Sequence, residues 1–246
     1  MTRGGGALGK ADMHLHTLYS DGTASVQDVL DHVQTETDLD VVAITDHERI
    51  DGALRAAEIH AAGSYAFELV VGEEITSRRG HVLALFINER IPALRPLPET
   101  LERIHDQGGI AIAAHPMAPL TPSLGTRSLV SAAGTDHRHR LDGIELMNPS
   151  AAGRTRRAAR DRLNAEVLKL AAVGNSDAHV LEGIGSAWTW FPGSTADDYR
   201  AAIDETTTRA DGTYWSTLHN LDIYRRQLRA KIRHLRHTLR PTGEWR

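Results

Sequence analysis

The sequence predicts one α/β domain whose strands close into a β/α barrel. Short apolar runs alternate with helical patterns along the chain, and seven or eight such units favour a closed barrel over an open sheet. The chain has 246 residues, and barrels of about 200 to 250 residues commonly form one domain. Several runs are continuously apolar, as strands covered on both faces should be. We place the barrel domain at residues 1–212 and a C-terminal helical extension at residues 213–246.

The predicted strands are short apolar runs bounded by turn residues. They are Asp12–His16, Val41–Thr45, Leu69–Ile75, His81–Ile87, Gly109–Ala114, Gly143–Met147 and Leu170–Gly174, with Ser186–Phe191 as an eighth candidate. Helical patterns lie between them. The predicted helices are Val26–Glu36, Asp51–Ala62, Pro98–Gln107, Gly153–Lys169 and Ser194–Thr208. Ser25 or Thr23 would cap the first helix, and repeated strand–helix units predict parallel strands.

The composition restricts the chemistry that the chain can perform. Hydrophobic residues make up 41% and charged residues 24%, which is ordinary for a soluble globular protein. Because there is no cysteine, disulfides and thiolate metal sites are excluded, and any metal ligands must come from His, Asp and Glu. No apolar run reaches the roughly 20 residues of a membrane span, and the first residues lack the apolar core of a signal peptide. We therefore expect a cytoplasmic location and no membrane partner.

Imidazoles and carboxylates recur at the ends of the predicted strands. In ADMHLHTLYSDG, His14 and His16 lie two residues apart and project to the same side of a strand. Comparable groups at other strand ends are Asp46 and His47, Glu73 and Glu74, His115, and Asp177 and His179, whereas His81 lies at the start of a predicted strand. The functional groups of β/α barrels lie at the C-terminal ends of the strands. Divalent cations would relieve the cost of gathering so many polar groups, so the pattern predicts a metal site at this rim.

The series DMHLHTLYSDG, ITDHE, GEEIT, GHVLAL, AAHP, GIELMN and GNSDAH resembles the PHP domain family, named for polymerase and histidinol phosphatase. The resemblance spans most of residues 11 to about 192. It implies a distorted seven-stranded (β/α) barrel of PHP type, two or three divalent ions and hydrolysis of phosphate esters. Mn²⁺, Fe²⁺ and Zn²⁺ all suit such ligands.

The same resemblance implies a set of ligands for each ion. The first ion would be held by His14, His16, Asp177 and a bridging Glu74, the second by Glu74, His81 and His115, and the third by Asp21, His47 and His179. The family pattern favours Glu74 over Glu73, and the two-residue period of a regular strand allows only one of them to face inward.

The expected chemistry is attack on phosphorus by a metal-bridging hydroxide, formed from water whose pKa is lowered to about 7. We predict Asp177, Glu74 and His179 as catalytic residues. Asn148, Arg154 and Arg49 are the predicted substrate-binding residues, because an arginine can clamp a phosphate. Two further carboxylates, Asp12 and Asp46, neighbour ligand histidines, where each would either orient an imidazole or face water. No general acid can be assigned.

The favoured substrate is a small phosphorylated metabolite or a nucleotide. Two alternatives stay open: a nuclease that acts on DNA or RNA ends, and a non-catalytic module that binds metal or a partner. An amidohydrolase barrel is a further enzymatic rival, but its metal-bridging modified lysine has no counterpart where Glu74 stands.

The C-terminal segment is strongly basic in a chain whose net charge is −4. From Trp215 to Arg246, eight Arg and Lys accompany only Asp222 and Glu244. Apolar residues recur with helical spacing at Leu221, Tyr224, Leu228, Ile232, Leu235 and Leu239. This stripe predicts an amphipathic helix that docks on the acidic barrel or pairs in a homo-oligomer, contacts nucleic-acid phosphates, or lies on a membrane surface.

Overall fold

The computed structural model describes residues 7–119, 121–134 and 136–216, together with Asn220, Ile223, Arg225 and Arg226. Within these residues, nine strands form one sheet. They are β1 (Leu8–Leu15), β2 (Val41–Ile44), β3 (Glu68–Ser77), β4 (Gly80–Leu85), β5 (Ile110–Ala113), β6 (Gly143–Met147), β7 (Ala171–Gly174), β8 (Ala187–Pro192) and β9 (Arg209–Gly212). The eight predicted strands are all present, and β9 is an addition to them.

The sheet is mixed, which corrects the prediction of parallel strands throughout. β1, β2 and β3 pair in parallel, as do β5, β6 and β7. In contrast, β4 runs antiparallel to both β3 and β5. Only Arg78 and Arg79 separate β3 from β4, whereas a parallel crossover needs a dozen or more residues. The first residues of β4 therefore lie at the same end of the sheet as the C-terminal ends of the parallel strands.

The sheet curls into a nearly closed barrel. Its order is β7-β6-β5-β4-β3-β2-β1-β8-β9. β1 pairs with β8 near its start, whereas Leu15 at its end forms a parallel bridge with Ala178, which follows β7. The Thr189 hydroxyl of β8 donates to the Gly174 carbonyl of β7 at 2.9 Å and accepts from its N–H at 3.0 Å. In the part of the chain that the structure describes, the barrel thus has nine strands and not the expected seven, because β8 and β9 lie between β1 and β7 at one end.

Helices cover the outside of the sheet and one end of the barrel. They are α1 (Val26–Glu36), α2 (Asp51–Ala62), α3 (Leu97–Asp106), α4 (Thr126–Ala132), α5 (Ala151–Arg154), α6 (Arg157–Leu163) and α7 (Ala196–Asp204). α1 and α2 have the predicted bounds, and Ser25 caps α1 in a capping box with Asp28. The predicted helix Gly153–Lys169 is interrupted, because Arg156 has a left-handed φ of 58° that separates α5 from α6. α4 is an addition to the predicted helices.

The barrel interior is filled by apolar side chains from the strands and closed at one end by α7. Tyr199, Ala202 and Ile203 of α7 pack against this interior cluster. The first backbone N–H of α7, from Ala196, donates to the Glu68 side chain at the start of β3, at 2.7 Å. Since β3 starts at this end, α7 closes the N-terminal end of the parallel strands. Among the described residues, no helix combines the length and apolar character that crossing a membrane requires.

A fully buried arginine supports the loops at the other end of the barrel. Arg160 of α6 is 0% exposed. Its guanidinium donates to the carbonyl oxygens of Leu146 at 2.8 Å, Gly153 at 3.0 Å and Pro116 at 3.4 Å. These carbonyls belong to β6, to α5 and to the loop after β5. Burial lowers the pKa of Arg160, and its three acceptors compensate for the lost hydration.

Replacing Arg160 with methionine should therefore destabilise the fold. The change leaves three backbone carbonyls without their donor, and each buried acceptor left unsatisfied costs about 1–3 kcal/mol. We expect the free energy of unfolding in urea to fall by about 3 kcal/mol or more. Arg162→Met is the matched control, since Arg162 lies on the same helix but is exposed, and we expect a change within about 0.5 kcal/mol. Equal effects of the two substitutions would contradict this role for Arg160.

The chain after β9 runs along the loops that follow β6 and β7. The backbone N–H of Trp215 donates to the Pro149 carbonyl at 3.1 Å, and the Asn220 side chain accepts from the backbone of Ala151 at 2.9 Å. Ile223 is buried. The predicted amphipathic stripe at Leu221, Tyr224, Leu228, Ile232, Leu235 and Leu239 lies outside the described residues, so the C-terminal basic helix stays a prediction.

Candidate metal centre

The chemistry-bearing residues predicted at the strand ends meet at one end of the barrel. His14 lies on β1 and His16 just after it, so both rings point into the mouth. His115 follows β5 and Asp177 follows β7, and both have the positive φ angles, 28° and 52°, that non-glycine residues seldom adopt. Such strain occurs at functional sites, where the surrounding structure holds it in place.

The reversed direction of β4 explains the position of His81. A histidine near the start of a parallel strand would lie at the far end of the barrel from the other ligands. Because β4 runs antiparallel to its neighbours, His81 lies at the mouth instead, with its Nδ1 atom 2.7 Å from Glu74 Oε1.

The carboxylate of Glu74 lies at the centre of the cluster. Its Oε2 atom lies 3.1 Å from His14 Nε2, 3.3 Å from His16 Nε2 and 3.2 Å from His47 Nδ1. Its Oε1 atom lies 2.7 Å from His81 Nδ1 and 3.0 Å from His115 Nε2. One carboxylate therefore faces five imidazoles, with each oxygen directed at a different group of rings.

Two aspartates complete the cluster on either side of His16. Asp177 Oδ1 lies 3.4 Å from His14 Nε2 and 3.3 Å from His16 Nε2. Asp21 Oδ1 lies 3.0 Å from His179 Nε2, 3.8 Å from His47 Nε2 and 3.9 Å from His16 Nδ1. The two ring nitrogens of His16 thus face different carboxylates.

These distances define three groups of donor atoms, each with all atoms within 4.8 Å of one another. The groups are His14, His16, Glu74 and Asp177; His16, Asp21, His47 and His179; and His47, Glu74 and His81. The first coincides with the ligand set that the resemblance implies. The other two differ from it, because His16 joins the Asp21 group and His47 takes the place of His115 in the Glu74–His81 group. His115 still contacts Glu74 directly.

The donor set fits divalent cations better than it fits a hydrogen-bonded core. Both ring nitrogens of His16 and Nδ1 of His81 are buried and lack a well-directed hydrogen bond, although carboxylate oxygens lie close to them. Such orphaned polar atoms are costly in a folded protein. Imidazole nitrogens and carboxylate oxygens converging on shared points are the ligands that first-row divalent metals bind.

The titratable groups of the cluster respond strongly to burial and to one another. Burial opposes protonation of His16, but the close carboxylates of Asp177 and Glu74 outweigh it and raise its pKa to about 10. His14 likewise has a pKa well above its usual range. Burial lowers the pKa of His47 to about 3. The surrounding imidazoles hold the pKa of Glu74 well below its usual range despite its burial. At neutral pH the rings of His14 and His16 are therefore protonated in the metal-free cluster. Bound cations would take the place of this positive charge.

Glu73 is directed away from the cluster. It is 0% exposed, and its carboxylate accepts a hydrogen bond from the backbone N–H of Ile91 at 3.0 Å. Burial raises its pKa to about 7. The structure therefore places Glu74, and not Glu73, among the imidazoles.

The three predicted substrate-binding residues have different surroundings. Asn148 lies in the cluster and donates to Asp177 Oδ2 at 3.3 Å. Arg49 pairs with Asp51 at 3.0 Å and lies over the Tyr19 ring. Arg154 is exposed and lies over the Tyr214 ring. The geometry thus brings Asn148 to the cluster, while the substrate-binding roles of all three residues stay predictions.

Neither alternative left open for Asp12 and Asp46, orienting an imidazole or facing water, is found, because both carboxylates are buried and hold loops. Asp12 accepts from the backbone N–H groups of Ser176 and Gly185, each at 2.9 Å. Asp46 accepts from the Thr17 backbone at 2.8 Å, and from the hydroxyl groups of Thr17 at 2.6 Å and Ser20 at 2.5 Å. Asp46 therefore shapes the loop after β1 that delivers Asp21.

The sequence reasoning missed Glu145. This residue of β6 is 0% exposed, and its carboxylate accepts from His14 Nδ1 at 2.8 Å and from the backbone N–H of His115 at 2.6 Å. The available signal was a charged residue inside the apolar run GIELM, because buried glutamate is rare unless it has partners.

Comparisons with known proteins agree with this fold. Residues 156–208 match the model of a PHP-associated family, PHP_C. The uncharacterized protein MJ1587 of Methanocaldococcus jannaschii is 36% identical over 150 residues, which cover 56% of this chain and 81% of that protein.

Two solved structures have a similar fold at low sequence identity. One is a two-domain protein of Bacteroides vulgatus that contains a predicted PHP-like metal-dependent phosphoesterase. It has a TM-score of 0.67 and 19% identity, and the match covers 92% of this chain and 70% of that one. The other is the lesion-specific endonuclease PfuEndoQ of Pyrococcus furiosus. It has a TM-score of 0.58 and 17% identity, and the match covers 83% of this chain and 58% of that one.

The fold and site define a mixed α/β, barrel-like protein with a mouth of converging histidines and carboxylates. The chain belongs to the PHP domain family.

Proposed function

We propose that the protein is a metal-dependent phosphoesterase that acts on a small phosphorylated metabolite or a nucleotide. The observation that carries this proposal is the position of Glu74, whose two oxygens lie within 3.3 Å of nitrogens from five imidazoles. Nine side chains would hold two or three Mn²⁺, Fe²⁺ or Zn²⁺ ions. They are His14, His16, Asp21, His47, Glu74, His81, His115, Asp177 and His179. Bound ions would supply an acidified water and positive charge that stabilises the phosphoryl transition state.

The chain's own residues prepare the mouth for an anionic substrate. Asn148 fixes Asp177 through its amide, and the His179 ring donates from Nδ1 to the Asp177 carbonyl at 3.0 Å, which leaves Nε2 directed at Asp21. Three carboxylates balance at most half of the charge of three divalent ions. A loaded site would therefore be cationic and attract a phosphate group.

A phosphatase screen tests this proposal. The protein would be loaded separately with Mn²⁺, Zn²⁺ and anaerobic Fe²⁺ and assayed against nucleotides, sugar phosphates and short oligonucleotides. We expect phosphate release from at least one class and a loss of about 10²-fold or more in His14→Ala, because a ligand of the first donor group is removed. Equal activity of the wild type and His14→Ala, or no hydrolysis with any metal, would contradict the proposal.

A second substrate class, nucleic-acid ends, is favoured by the path of the chain after β9. This segment is anchored at the same end of the barrel as the metal cluster, through Trp215 and Asn220. Arg154 and Arg157 lie over the Tyr214 ring beside this anchor, and Arg225 and Arg226 are exposed. Cations next to a hydrolytic mouth would hold the phosphates of a strand without reading its sequence.

The double substitution of Arg225 and Arg226 by glutamine separates the two substrate classes. If strands are the substrate, oligonucleotide kcat/KM should fall by about 10-fold and depend less on salt, while hydrolysis of a mononucleotide stays unchanged. Arg55→Gln on α2 is the control, because that arginine is also exposed and, like Arg226, pairs with a glutamate. Unchanged oligonucleotide hydrolysis in the double variant would exclude this role for the two arginines.

A further inference from the structure

We propose that Glu145 is a positioning residue that holds two ligands of the cluster, His14 and His115, in their metal-binding geometry. The inference deepens the proposed function, because it rests on cation binding at the mouth. Glu145 does not point into the donor groups. Instead, each of its oxygens is bonded to a residue that contacts Glu74.

The Oε1 atom of Glu145 determines which nitrogen of His14 faces the cluster. It lies 2.8 Å from His14 Nδ1, and both side chains are 0% exposed. A carboxylate accepts and cannot donate, so Nδ1 carries the proton of a neutral ring and the lone pair is on Nε2. Nε2 is the atom that lies 3.1 Å from Glu74 and 3.4 Å from Asp177. This arrangement fixes both the tautomer and the ring orientation that a cation requires.

The Oε2 atom of Glu145 holds the backbone of His115. The N–H of His115 donates to it at 2.6 Å. His115 has a φ of 28°, a conformation that a non-glycine residue keeps only when its surroundings enforce it. From this position its Nε2 atom reaches Glu74 Oε1 at 3.0 Å. The two oxygens of Glu145 thus control the ligands that approach the two different oxygens of Glu74.

Glu145 is itself held rigidly. Its Oε1 atom also accepts from Asn175 Nδ2 at 2.8 Å, and the Asn175 Oδ1 atom accepts from the backbone N–H of Met13 at 3.0 Å. The carboxylate is therefore tied to β1, β6 and the loop after β7 together. Support from regular strands is what keeps a ligand geometry accurate to a fraction of an ångström.

Glutamine cannot replace this carboxylate. Its amide oxygen can accept from His14 Nδ1 or from the N–H of His115, but its NH₂ group can accept from neither. In Glu145→Gln we expect the dissociation constant for Co²⁺ to rise by about 10–100-fold. We also expect the visible absorption spectrum of the Co²⁺-loaded protein to change, because the ligand geometry around the ion changes. Neither readout requires turnover.

Glu73→Gln is the matched control. Glu73 is also 0% exposed and also accepts from a backbone N–H, but it does so outside the cluster, from Ile91. The two substitutions therefore make the same side-chain change at two buried glutamates and differ in which residues they release. Urea unfolding of the metal-free proteins verifies that both variants fold. We expect Glu73→Gln to keep the Co²⁺ affinity and spectrum of the wild type.

The outcomes separate this inference from the proposed function. If wild type binds Co²⁺ and Glu145→Gln has the same affinity and spectrum, or if Glu73→Gln weakens binding equally, the role of Glu145 is overturned while the metal site stands. If wild type binds no Co²⁺, the proposed function itself fails. If Glu145→Gln does not fold, Asn175→Ala tests the inference instead. This substitution removes the hydrogen bond that holds Glu145 in place and keeps the Glu145 side chain itself. It should also weaken Co²⁺ binding, and wild-type affinity in that variant would overturn the inference.

Discussion

Replacing Glu74 with glutamine is expected to lower phosphatase kcat/KM by about 10³-fold or more, which corresponds to several kcal/mol of lost transition-state stabilisation. The physical reason is the central position of this carboxylate. Its Oε2 atom faces His14, His16 and His47, and its Oε1 atom faces His81 and His115. An amide keeps the size of the side chain but removes its charge, and it directs an NH₂ group at nitrogens that would share cations with it.

Kinetics and metal analysis of purified Glu74→Gln check this expectation together. The bound metal per chain should fall along with kcat/KM, because the side chain belongs to two of the three donor groups. Glu73→Gln again serves as the neighbouring control, since its carboxylate bonds to Ile91 outside the cluster, and we expect a change of less than about 10-fold. Full metal content and near-normal activity in Glu74→Gln would show that the bridging role assigned to this residue is wrong.

Loading with divalent metal is expected to stabilise the fold and to release protons. A ligand that binds only the native state at about 1,000 times its dissociation constant stabilises by about 4 kcal/mol. Carboxylates hold the pKa of His14 well above its usual range and raise that of His16 to about 10, although burial opposes both shifts. Both rings are thus protonated at pH 7 in the metal-free protein. Since a cation needs an unprotonated nitrogen and the pKa of His115 is also raised beside Glu74, uptake should release about two to three protons per chain.

The metal-free protein should show the corresponding dependence of stability on pH. The raised pKa values of His14 and His16 stabilise the fold below the unfolded value of 6.5, and this contribution is lost as pH rises toward about 10. The lowered pKa values of Glu74 and Asp177 act in the opposite direction, as their contribution is lost when pH falls below the ordinary carboxylate range. Burial lowers the pKa of His47 to about 3, so this ring stays neutral in the fold but becomes protonated in the unfolded chain. It therefore also lowers the stability of the fold as pH falls below 6.5. Stability should therefore be greatest near pH 6 and decline on both sides.

Calorimetry in two buffers of different ionisation enthalpy measures the released protons, and urea unfolding between pH 5 and 9 measures the stability. Chelator-treated protein should lose stability between pH 7 and 9, whereas the metal-loaded protein should not, because cations have replaced the protons. Uptake of metal without proton release, or parallel pH profiles for the two forms, would contradict the charge arrangement described for the cluster.

The residues of the cluster could be predicted from the sequence because the strands of a β/α barrel end at one rim. His14, His115 and Asp177 each follow or end an apolar run, and the structure brings all three to Glu74 or its neighbours. Strand bounds such as Gly143–Met147 and helix bounds such as Val26–Glu36 were also predictable, since a capped amphipathic pattern or a bounded apolar run is local information.

Features that depend on contacts between residues far apart in the chain could not be predicted from the sequence. The reversal of β4 depends on the two-residue turn at Arg78 and Arg79, and the apolar run after it is compatible with either direction. Glu145 gains its role from His14, which is 131 positions away in the chain. The backbone N–H of His115, a residue with a positive φ of 28°, donates to that same carboxylate. Periodicity within one segment contains no information about such partners.

Anomalous X-ray diffraction from crystals of the Mn²⁺- or Zn²⁺-loaded protein tests most directly whether the mouth of the barrel binds several cations. Data on either side of the metal absorption edge would locate the ions independently of any assumption about ligands. We predict two or three anomalous peaks around Glu74, with ligand atoms from His14, His16 and Asp177 at about 2.0–2.2 Å from one of them. A loaded crystal without a peak at the barrel mouth, or with ions bound only elsewhere, would contradict it.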